Sequence, residues 1–304
     1  MVAARSHLTA VPEAAPEPPA PPPFEAIELP AVDGAPLAAR AYPPTALPAR
    51  GAVLIVGAMG VPQGFYQPLA VWLAARGHHV LTFDFRGMGE SRTGPMRAVD
   101  VDVVAWGRLD ATAALRALQD RAPGLPLTWI GHSLGGQILP FVPDHIELAK
   151  VITVAAGSGY WRENSPPLRR KVWLFWFVAT PLATPLFGYF PGKALGMVGD
   201  LPRGVIRQWR RWCLDPEYAV GAEGPAVRDL FARVTAPITA ISFTDDEMMS
   251  ARNTESLHGF YTRAAVTHRR FEPAELGKDR VGHFGFFRAA MADVWDRVLA
   301  PELP

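Results

Sequence analysis

Hydrophobic positions along the chain follow two alternating periods. Residues 24–42 alternate apolar and polar side chains around Asp33-Gly34, which predicts a β-hairpin. Beyond it, short β-branched runs alternate with longer segments whose apolar residues recur at helical spacing. The predicted strands are 52–56, 79–83, 127–130, 151–155 and 237–243, and the predicted helices include 65–76 and 102–121. Strands that alternate with helices predict crossover connections, and therefore a mostly parallel sheet flanked by helices.

Two segments depart from this alternation. Residues 157–232 are rich in aromatic residues and proline and predict a helical cap inserted above the carboxyl edge of the sheet. The cap would divide the core into residues 24–156 and 233–304. Residues 1–23 include the tract VPEAAPEPPAPPP, which predicts a disordered, proline-rich tail. The apolar stretch 172–190 is a poor transmembrane candidate, because prolines interrupt it and its basic residues flank one side only.

Composition and charge narrow the functional classes. The formal net charge is +1, so no strong electrostatic field favours a nucleic-acid partner. The single cysteine, Cys213, excludes an internal disulfide. The eight histidines lack metal-ligand spacing, and we expect no metal or other cofactor. No basic segment followed by an apolar one indicates a secretory signal at the N-terminus, so a cytoplasmic location is the default expectation.

The strongest chemical signal is the segment GHSLGG at residues 131–136. It follows a predicted strand and precedes a predicted apolar helix. A serine turned outward between a strand and a helix has a strained backbone, so its neighbours must be small, and Gly131 and Gly135 meet that demand. Gly136 would let the helix pack closely on the sheet. The pattern predicts Ser133 as a nucleophile; the alternative is a tight turn with an inert serine.

A second motif strengthens this interpretation. Residues 84–91, DFRGMGES, are similar to the DxRGxGxS segment of many α/β-hydrolases. Together with GHSLGG, they make the chain from about residue 24 resemble the α/β-hydrolase superfamily, and within it bacterial hydrolases of the lysophospholipase and serine-aminopeptidase-like branch. The resemblance implies the α/β-hydrolase fold, a catalytic serine with no cofactor, and a structural role for residues 84–91. It also implies the chain order serine, acid, histidine.

Four histidines follow Ser133. His145 is too close to the serine in sequence to fold back onto it, His258 lies on a predicted helix and His268 in a strand-like segment. His283 lies in a glycine-flanked loop before the final predicted helix, where the superfamily places its catalytic histidine. We therefore predict His283 as the general base; the alternative is a structural loop histidine.

The acid is predicted at the end of the last apolar strand. Relatives often carry Gly-x-x-Asp there, and aligning Phe243 with the glycine places the acid at Asp246. Because this chain lacks that glycine, Asp245 remains the alternative acid. A metal site at residues 245–247 is discounted, since three consecutive carboxylates cannot all point inward from one strand end.

Backbone amides are expected to bind the developing oxyanion. One is that of Leu134, the residue after the nucleophile. The second is expected from the loop Gly57-Ala58-Met59-Gly60, where relatives carry His-Gly-x-Gly. If Gly60 is the last glycine of that motif, Met59 supplies the amide and Ala58 is the alternative; an ordinary glycine turn is the structural interpretation.

The cap suggests the substrate class. Its large apolar residues are Trp161, Trp173, Leu174, Phe175, Trp176, Phe177, Phe187, Tyr189, Phe190, Trp209 and Trp212. They predict a pocket for an apolar acyl group, or else simply pack the cap onto the core. Together with the predicted roles of Ser133, His283 and Asp246, this pocket makes ester hydrolysis of a small acyl substrate the predicted activity. Acyl transfer to another acceptor and non-catalytic ligand binding are the alternatives.

A membrane surface is the less favoured partner. Arginines at 207, 210 and 211 interleave with Trp209 and Trp212, a pattern that occurs in helices lying on anionic membranes. A helix with one buried and one solvated face is the commoner origin of such a pattern.

Overall fold

The structure is a computed structural model that describes residues 23–304. Its centre is an eight-stranded sheet with the strand order β1-β2-β4-β3-β5-β6-β9-β10. The strands are β1 Glu25–Pro30, β2 Pro36–Tyr42, β3 Gly51–Val56, β4 His78–Phe83, β5 Leu127–His132, β6 Leu148–Val154, β9 Ile238–Phe243 and β10 Val266–Phe271. A separate two-stranded ribbon pairs β7 (Tyr189–Pro191) with β8 (Asp200–Pro202). The predicted tail at residues 1–23 falls, except for its last residue, outside the described residues.

The sheet is mostly parallel, as the alternation of strands and helices predicts. β1 and β2 form the predicted antiparallel hairpin, and β2 also pairs antiparallel with β4. All later neighbours are parallel. Every residue of β3, β5 and β9 is buried, because helices cover both faces of the sheet. The carboxyl ends of these strands therefore converge at one edge, where ligands of such sheets bind.

Eleven α-helices occur in residues 23–304. They are α1 Gln67–Ala74, α2 Val103–Ala105, α3 Thr112–Arg121, α4 Leu134–Gln137, α5 Pro166–Leu174, α6 Thr180–Phe187, α7 Arg203–Leu214, α8 Tyr218–Glu223, α9 Pro225–Arg233, α10 Ala251–His258 and α11 Ala292–Val298. Segments of π-helix join α2 to α3 at Trp106–Ala111 and α5 to α6 at Phe175–Ala179. No helix of the described part is long and apolar enough to cross a membrane.

The helix after Ser133 is much shorter than the sequence suggests. α4 has only four residues, and short 3-10 turns replace the predicted apolar helix. Pro140 is the cause, because proline has no amide to donate to the Gly136 carbonyl and its ring clashes with that carbonyl in a helix. The Gly136 carbonyl instead accepts a hydrogen bond from the Tyr261 hydroxyl, at 3.3 Å.

The chain between β6 and β9 forms an insertion of five helices, α5–α9, and the β7-β8 ribbon. This β6–β9 insertion approaches the carboxyl edge of the sheet at two points. A Cβ placed on Gly60 would meet Cγ2 of Val198 at 3.3 Å. The Ser165 amide donates to the Met248 carbonyl at 3.1 Å, just beyond the end of β9. The insertion therefore reaches the loops that follow β3 and β9.

Candidate active site

Ser133 occupies a sharp turn between β5 and α4. Its backbone has φ 49° and ψ −111°, a conformation that non-glycine residues rarely adopt. The Ser133 amide donates to the Val154 carbonyl at 3.0 Å, which ties the turn to the end of β6. The side chain is 9% exposed, so it lies just beneath the surface of the edge. A strained residue held in this way at a strand end is typical of functional sites.

The glycines around Ser133 allow the turn to pack against β3. A Cβ on Gly135 would overlap the carbonyl oxygen of Val56, the last residue of β3. A Cβ on Gly131 would lie 2.5 Å from the Gly135 carbonyl oxygen, and one on Gly136 would lie 2.6 Å from Cβ of Ala156. Alanine is therefore too large at all three positions, as expected for a nucleophile turn.

His283 and Asp246 meet at the same edge. His283 Nδ1 lies 2.9 Å from Asp246 Oδ2 and 3.1 Å from Oδ1, and both side chains are buried. Since a carboxylate only accepts, Nδ1 carries the proton and Nε2 is left as a base. Among the hydrogen bonds of residues 23–304, none joins the imidazole to Ser133 Oγ. Such contacts are often long without substrate.

Three consecutive carboxylates hold the segment that carries His283. Asp245 Oδ2 accepts from the amides of Val281 and Gly282, at 2.8 and 3.0 Å. Glu247 accepts from the His283 amide at 3.1 Å, while Asp246 bonds to the imidazole. Asp246 also accepts from the amides of Met248 and Met249. Sequence reasoning missed the roles of Asp245 and Glu247, although the run DDE after an apolar strand was the available signal.

A second buried chain of hydrogen bonds lies behind the serine. The Tyr66 hydroxyl accepts from the Ala58 amide at 2.7 Å and is 2.9 Å from His132 Nδ1, to which it donates. His132 Nε2 then donates to the His283 carbonyl at 3.0 Å. Burial, with a smaller contribution from His283, lowers the pKa of His132 well below its ordinary value, so its ring is neutral. Neither His132, which contacts His283, nor Tyr66, which contacts His132, stands out in the sequence as part of the site.

The bond to Tyr66 also narrows the choice of candidate oxyanion donor among the amides of the loop after β3. The Ala58 amide is committed to Tyr66, which leaves Met59 as the candidate donor. Gly60 has φ +76°, a left-handed conformation that lets the loop turn beside the elbow. Leu134 is the first residue of α4, so its amide has no partner within that helix.

The other three histidines are structural or exposed. His258 is buried between the Thr153 hydroxyl and the Thr254 carbonyl, at 2.8 and 2.7 Å. His268 is exposed on the edge strand β10, and His145 lies on the 3-10 turn 143–147. Of the histidines after Ser133, only His283 bonds to a carboxylate at the carboxyl edge.

Comparison with known proteins identifies the architecture. Residues 48–184 match the sequence model of a family described as serine aminopeptidase, S33. No significant match is found among curated proteins. A soluble variant of monoglyceride lipase from Saccharomyces cerevisiae, solved with a substrate analogue, has a similar structure with a TM-score of 0.61. Its identity is 16%, and the match covers 96% of this chain and 100% of that chain.

Two further solved structures agree. An esterase from Pyrococcus furiosus has a TM-score of 0.57 at 15% identity, covering 90% of this chain and 88% of that chain. A thermostable carboxyl esterase from Bacillus coagulans has a TM-score of 0.58 at 15% identity, covering 82% and 90% of the two chains. The chain has the α/β-hydrolase fold. The fold implied by the sequence motifs is thereby confirmed.

The DFRGMGES segment forms a loop after β4. The Asp84 carboxylate accepts from the amides of Gln63 and Glu90, both at 2.8 Å. Arg86 pairs with Asp110 and Asp33. These bonds join the loop after β4 to the β1-β2 turn, to the 3-10 turn before α1 and to the π-helical segment Trp106–Ala111, and none reaches Ser133 or His283.

The ten aromatic residues of the insertion that were predicted to line a pocket fall into three groups, of which one, Trp161, Phe175, Tyr189 and Trp209, is half-buried. Trp176, Phe190 and Trp212 are buried in the main hydrophobic core. Trp173, Phe177 and Phe187 are between 46% and 50% exposed. The sequence-based expectation that they jointly line a pocket is therefore too simple, since part of the set packs the insertion and part faces outward.

Proposed function

We propose that this α/β-hydrolase is a serine esterase that hydrolyses an apolar small-molecule ester. The observation that carries the proposal is the buried bond between Asp246 and His283 Nδ1, on the edge where the strained Ser133 turn lies. An acid that fixes the imidazole tautomer is what a serine hydroxyl needs in order to react at neutral pH.

The proposed reaction has two stages. His283 Nε2 takes the proton of Ser133 Oγ as the oxygen attacks the ester carbonyl, and Asp246 stabilises the resulting imidazolium. The amides of Leu134 and Met59 donate to the tetrahedral oxyanion. His283 then protonates the leaving alkoxide oxygen as the ester C–O bond breaks. Water, deprotonated by the same imidazole, attacks the acyl-enzyme, and the imidazolium returns the proton to Ser133 Oγ as the acid leaves.

Asp246 is the preferred acid in this scheme. Its carboxylate contacts the imidazole, whereas Asp245 contacts the amides of Val281 and Gly282. Met59 is preferred over Ala58 as the loop donor, because the Ala58 amide already donates to Tyr66.

Apolar groups around the site favour an apolar substrate. The Phe284 ring lies 4.9 Å from the His283 ring, and Met59 is in the oxyanion loop. Val198 of the β6–β9 insertion, which we propose acts as a cap, approaches that loop at Gly60. Apolar walls with few polar groups suit an acyl chain better than a charged substrate.

The test combines turnover and covalent labelling. Ser133→Ala should abolish hydrolysis of short p-nitrophenyl esters and labelling by a fluorophosphonate, while Ser256→Ala on α10 should retain both. Labelling of the Ser133→Ala protein at the wild-type rate would overturn the nucleophile. Assays with added alcohols would show whether the acyl group passes to water or to another acceptor.

A further inference from the structure

The outer surface of the β6–β9 insertion is unusually apolar. Thirteen large hydrophobic side chains are exposed in residues 23–304, and nine of them fall between 173 and 197. These nine, which we call the apolar face, are Trp173, Leu174, Phe177, Val178, Leu182, Leu186, Phe187, Leu195 and Met197. The rest of the described surface shows only four such residues, and they are scattered. A concentration of this kind marks an interaction site.

The helical segment that carries most of the apolar face packs against the protein with its other side. Val172, Trp176, Thr180 and Thr184 recur at intervals of four and are all buried. The continuous helical segment 166–187 therefore packs one side against the protein. Large apolar side chains on a second helix side are normally covered as well. Here the outward side of the segment, including Leu182 and Leu186 at 67% and 77% exposure, faces solvent.

The charged side chains within residues 165–199, which include the apolar face, are all positive, and the flanking Asp200 pairs with Arg92. Residues 165–199 contain Arg169, Arg170, Lys171 and Lys193 and no aspartate or glutamate. All four cations are exposed. None of them belongs to an ion pair in the described part of the chain, although the molecule as a whole carries a net charge of only +1. This local imbalance selects a partner with negative charge.

We propose that the apolar face docks on an anionic phospholipid bilayer. The nine apolar side chains enter the boundary between headgroups and acyl chains, and the four cations contact lipid phosphates, as in helices that lie in the membrane plane. A second copy of the chain is a less suitable partner for the apolar face than an anionic bilayer. A symmetric dimer through this face would bring together two sets of unpaired cations with no carboxylate from residues 165–199 to offset them.

The surface differs from the one that the sequence suggests. On α7, Trp212 is fully buried and its indole donates to Glu223, which also pairs with Arg211. Arg210 donates to the Trp176 carbonyl at 2.6 Å. Two of the three arginines at 207, 210 and 211 are therefore engaged within the protein, while Arg207 is exposed. The proposed membrane contact lies instead on residues 173–197.

Vesicle flotation tests the proposal. The wild-type protein should float with vesicles of equimolar phosphatidylglycerol and phosphatidylcholine, bind pure phosphatidylcholine vesicles much less, and lose binding as salt rises. Replacing Arg169, Arg170 and Lys171 together by glutamine should lower partitioning into the anionic vesicles roughly a hundredfold. Leu182→Glu with Leu186→Glu should lower it at least about tenfold, because charges replace inserted side chains.

A control substitution tests whether the position of the added charge decides the loss of vesicle binding. Ile146→Glu introduces the same charge at a side chain that is 73% exposed but outside the apolar face, and its flotation should equal that of the wild type. Ser133→Ala should also bind normally, so failure of docking and failure of the proposed esterase activity are distinguishable. Absence of wild-type flotation, or equal flotation of the Leu182→Glu/Leu186→Glu protein, would overturn the proposal. So would a dimer in sedimentation velocity that these two substitutions dissolve.

Discussion

At the scale of single residues, one hydroxyl links three parts of the site. Tyr66 accepts from Ala58 in the oxyanion loop and donates to His132, which bonds to the His283 backbone. Because all of these groups are buried, each depends on the others for its hydrogen bonds. The alignment of the loop, the elbow and the histidine segment therefore rests in part on a side chain that does not contact the reacting atoms.

Tyr66→Phe should be destabilising and should slow turnover. It leaves the Ala58 amide and His132 Nδ1 without partners, which costs about 1–3 kcal/mol of unfolding free energy. Turnover should fall because the oxyanion loop loses its anchor. Urea denaturation and ester hydrolysis measure the two effects. Tyr42→Phe is the control, since Tyr42 is equally buried and its hydroxyl has no hydrogen-bond partner in the described residues. Equal behaviour of the two variants would contradict the role given to Tyr66.

Substitution of the two neighbouring aspartates, Asp245 and Asp246, should affect kcat to different degrees. Asp246→Asn should lower kcat by about a thousandfold to ten-thousandfold, because an amide can hold the imidazole in the wrong tautomer. Asp245→Asn keeps an acceptor near the amides of Val281 and Gly282, so its kcat should stay within about tenfold of the wild type. Steady-state hydrolysis of a p-nitrophenyl ester measures both. The reverse order of effects would assign the acid to Asp245.

At the scale of elements, the contact between the elbow and β3 fixes the geometry of the site. Gly131 pairs with Val56 in the sheet, and Gly135 lies against the Val56 carbonyl. The loop 57–60, which we propose supplies an oxyanion donor, begins at the next residue, Gly57. The serine turn and the loop are therefore positioned relative to each other by backbone packing and not by a side-chain contact.

Gly135→Ala tests this contact. Its Cβ would overlap the Val56 carbonyl, so the elbow and β3 must separate, at a cost of about 1–3 kcal/mol or more. We expect a lower thermal unfolding temperature and strongly reduced hydrolysis. Gly94→Ala is the control, because a Cβ there meets nothing within 4 Å and its φ is not positive. Wild-type stability of the Gly135→Ala protein would show that the elbow is looser than the structure indicates.

At the scale of the whole molecule, buried histidines make stability depend on pH. Burial lowers the pKa of His258 from 6.5 to about 4, and the pKa of His132 also lies well below its ordinary value. The unfolded chain therefore binds more protons than the folded one as the pH falls from 6.5 towards 4. The stability that the neutral rings provide is complete above pH 6.5 and is lost through this window. His258 alone accounts for roughly 3 kcal/mol.

Urea unfolding at pH 8, 6 and 5 measures this effect. The unfolding free energy of the wild type should fall on acidification, and His258→Gln should reduce the slope. Asp110 acts in the opposite direction, since burial raises its pKa to about 6 despite the partner Arg86. The difference between the wild type and the His258→Gln protein isolates the histidine contribution. A difference that does not change with pH would contradict a neutral, buried His258.

Local sequence patterns determined the architecture and the serine turn. Alternation of β-branched runs with helical periods predicts the parallel sheet, because these periods decide which faces can be buried. A side chain at any of the three glycines of GHSLGG would overlap neighbouring atoms around the strained serine. The motif can therefore be recognised from the sequence alone. Pro140 can also be recognised in the sequence as a residue that ends α4, although the apolar residues around it favour a longer helix.

Only the tertiary structure decided which side chains meet. Asp245, Asp246 and Glu247 are neighbours with the same chemistry, and each bonds to a different atom of the segment 281–283. The path from Ala58 through Tyr66 and His132 to His283 joins residues far apart in the chain. The same holds for the aromatic residues of the insertion, since composition does not tell an inward face from an outward one. Side-chain direction depends on how complete elements pack, and no local pattern records that.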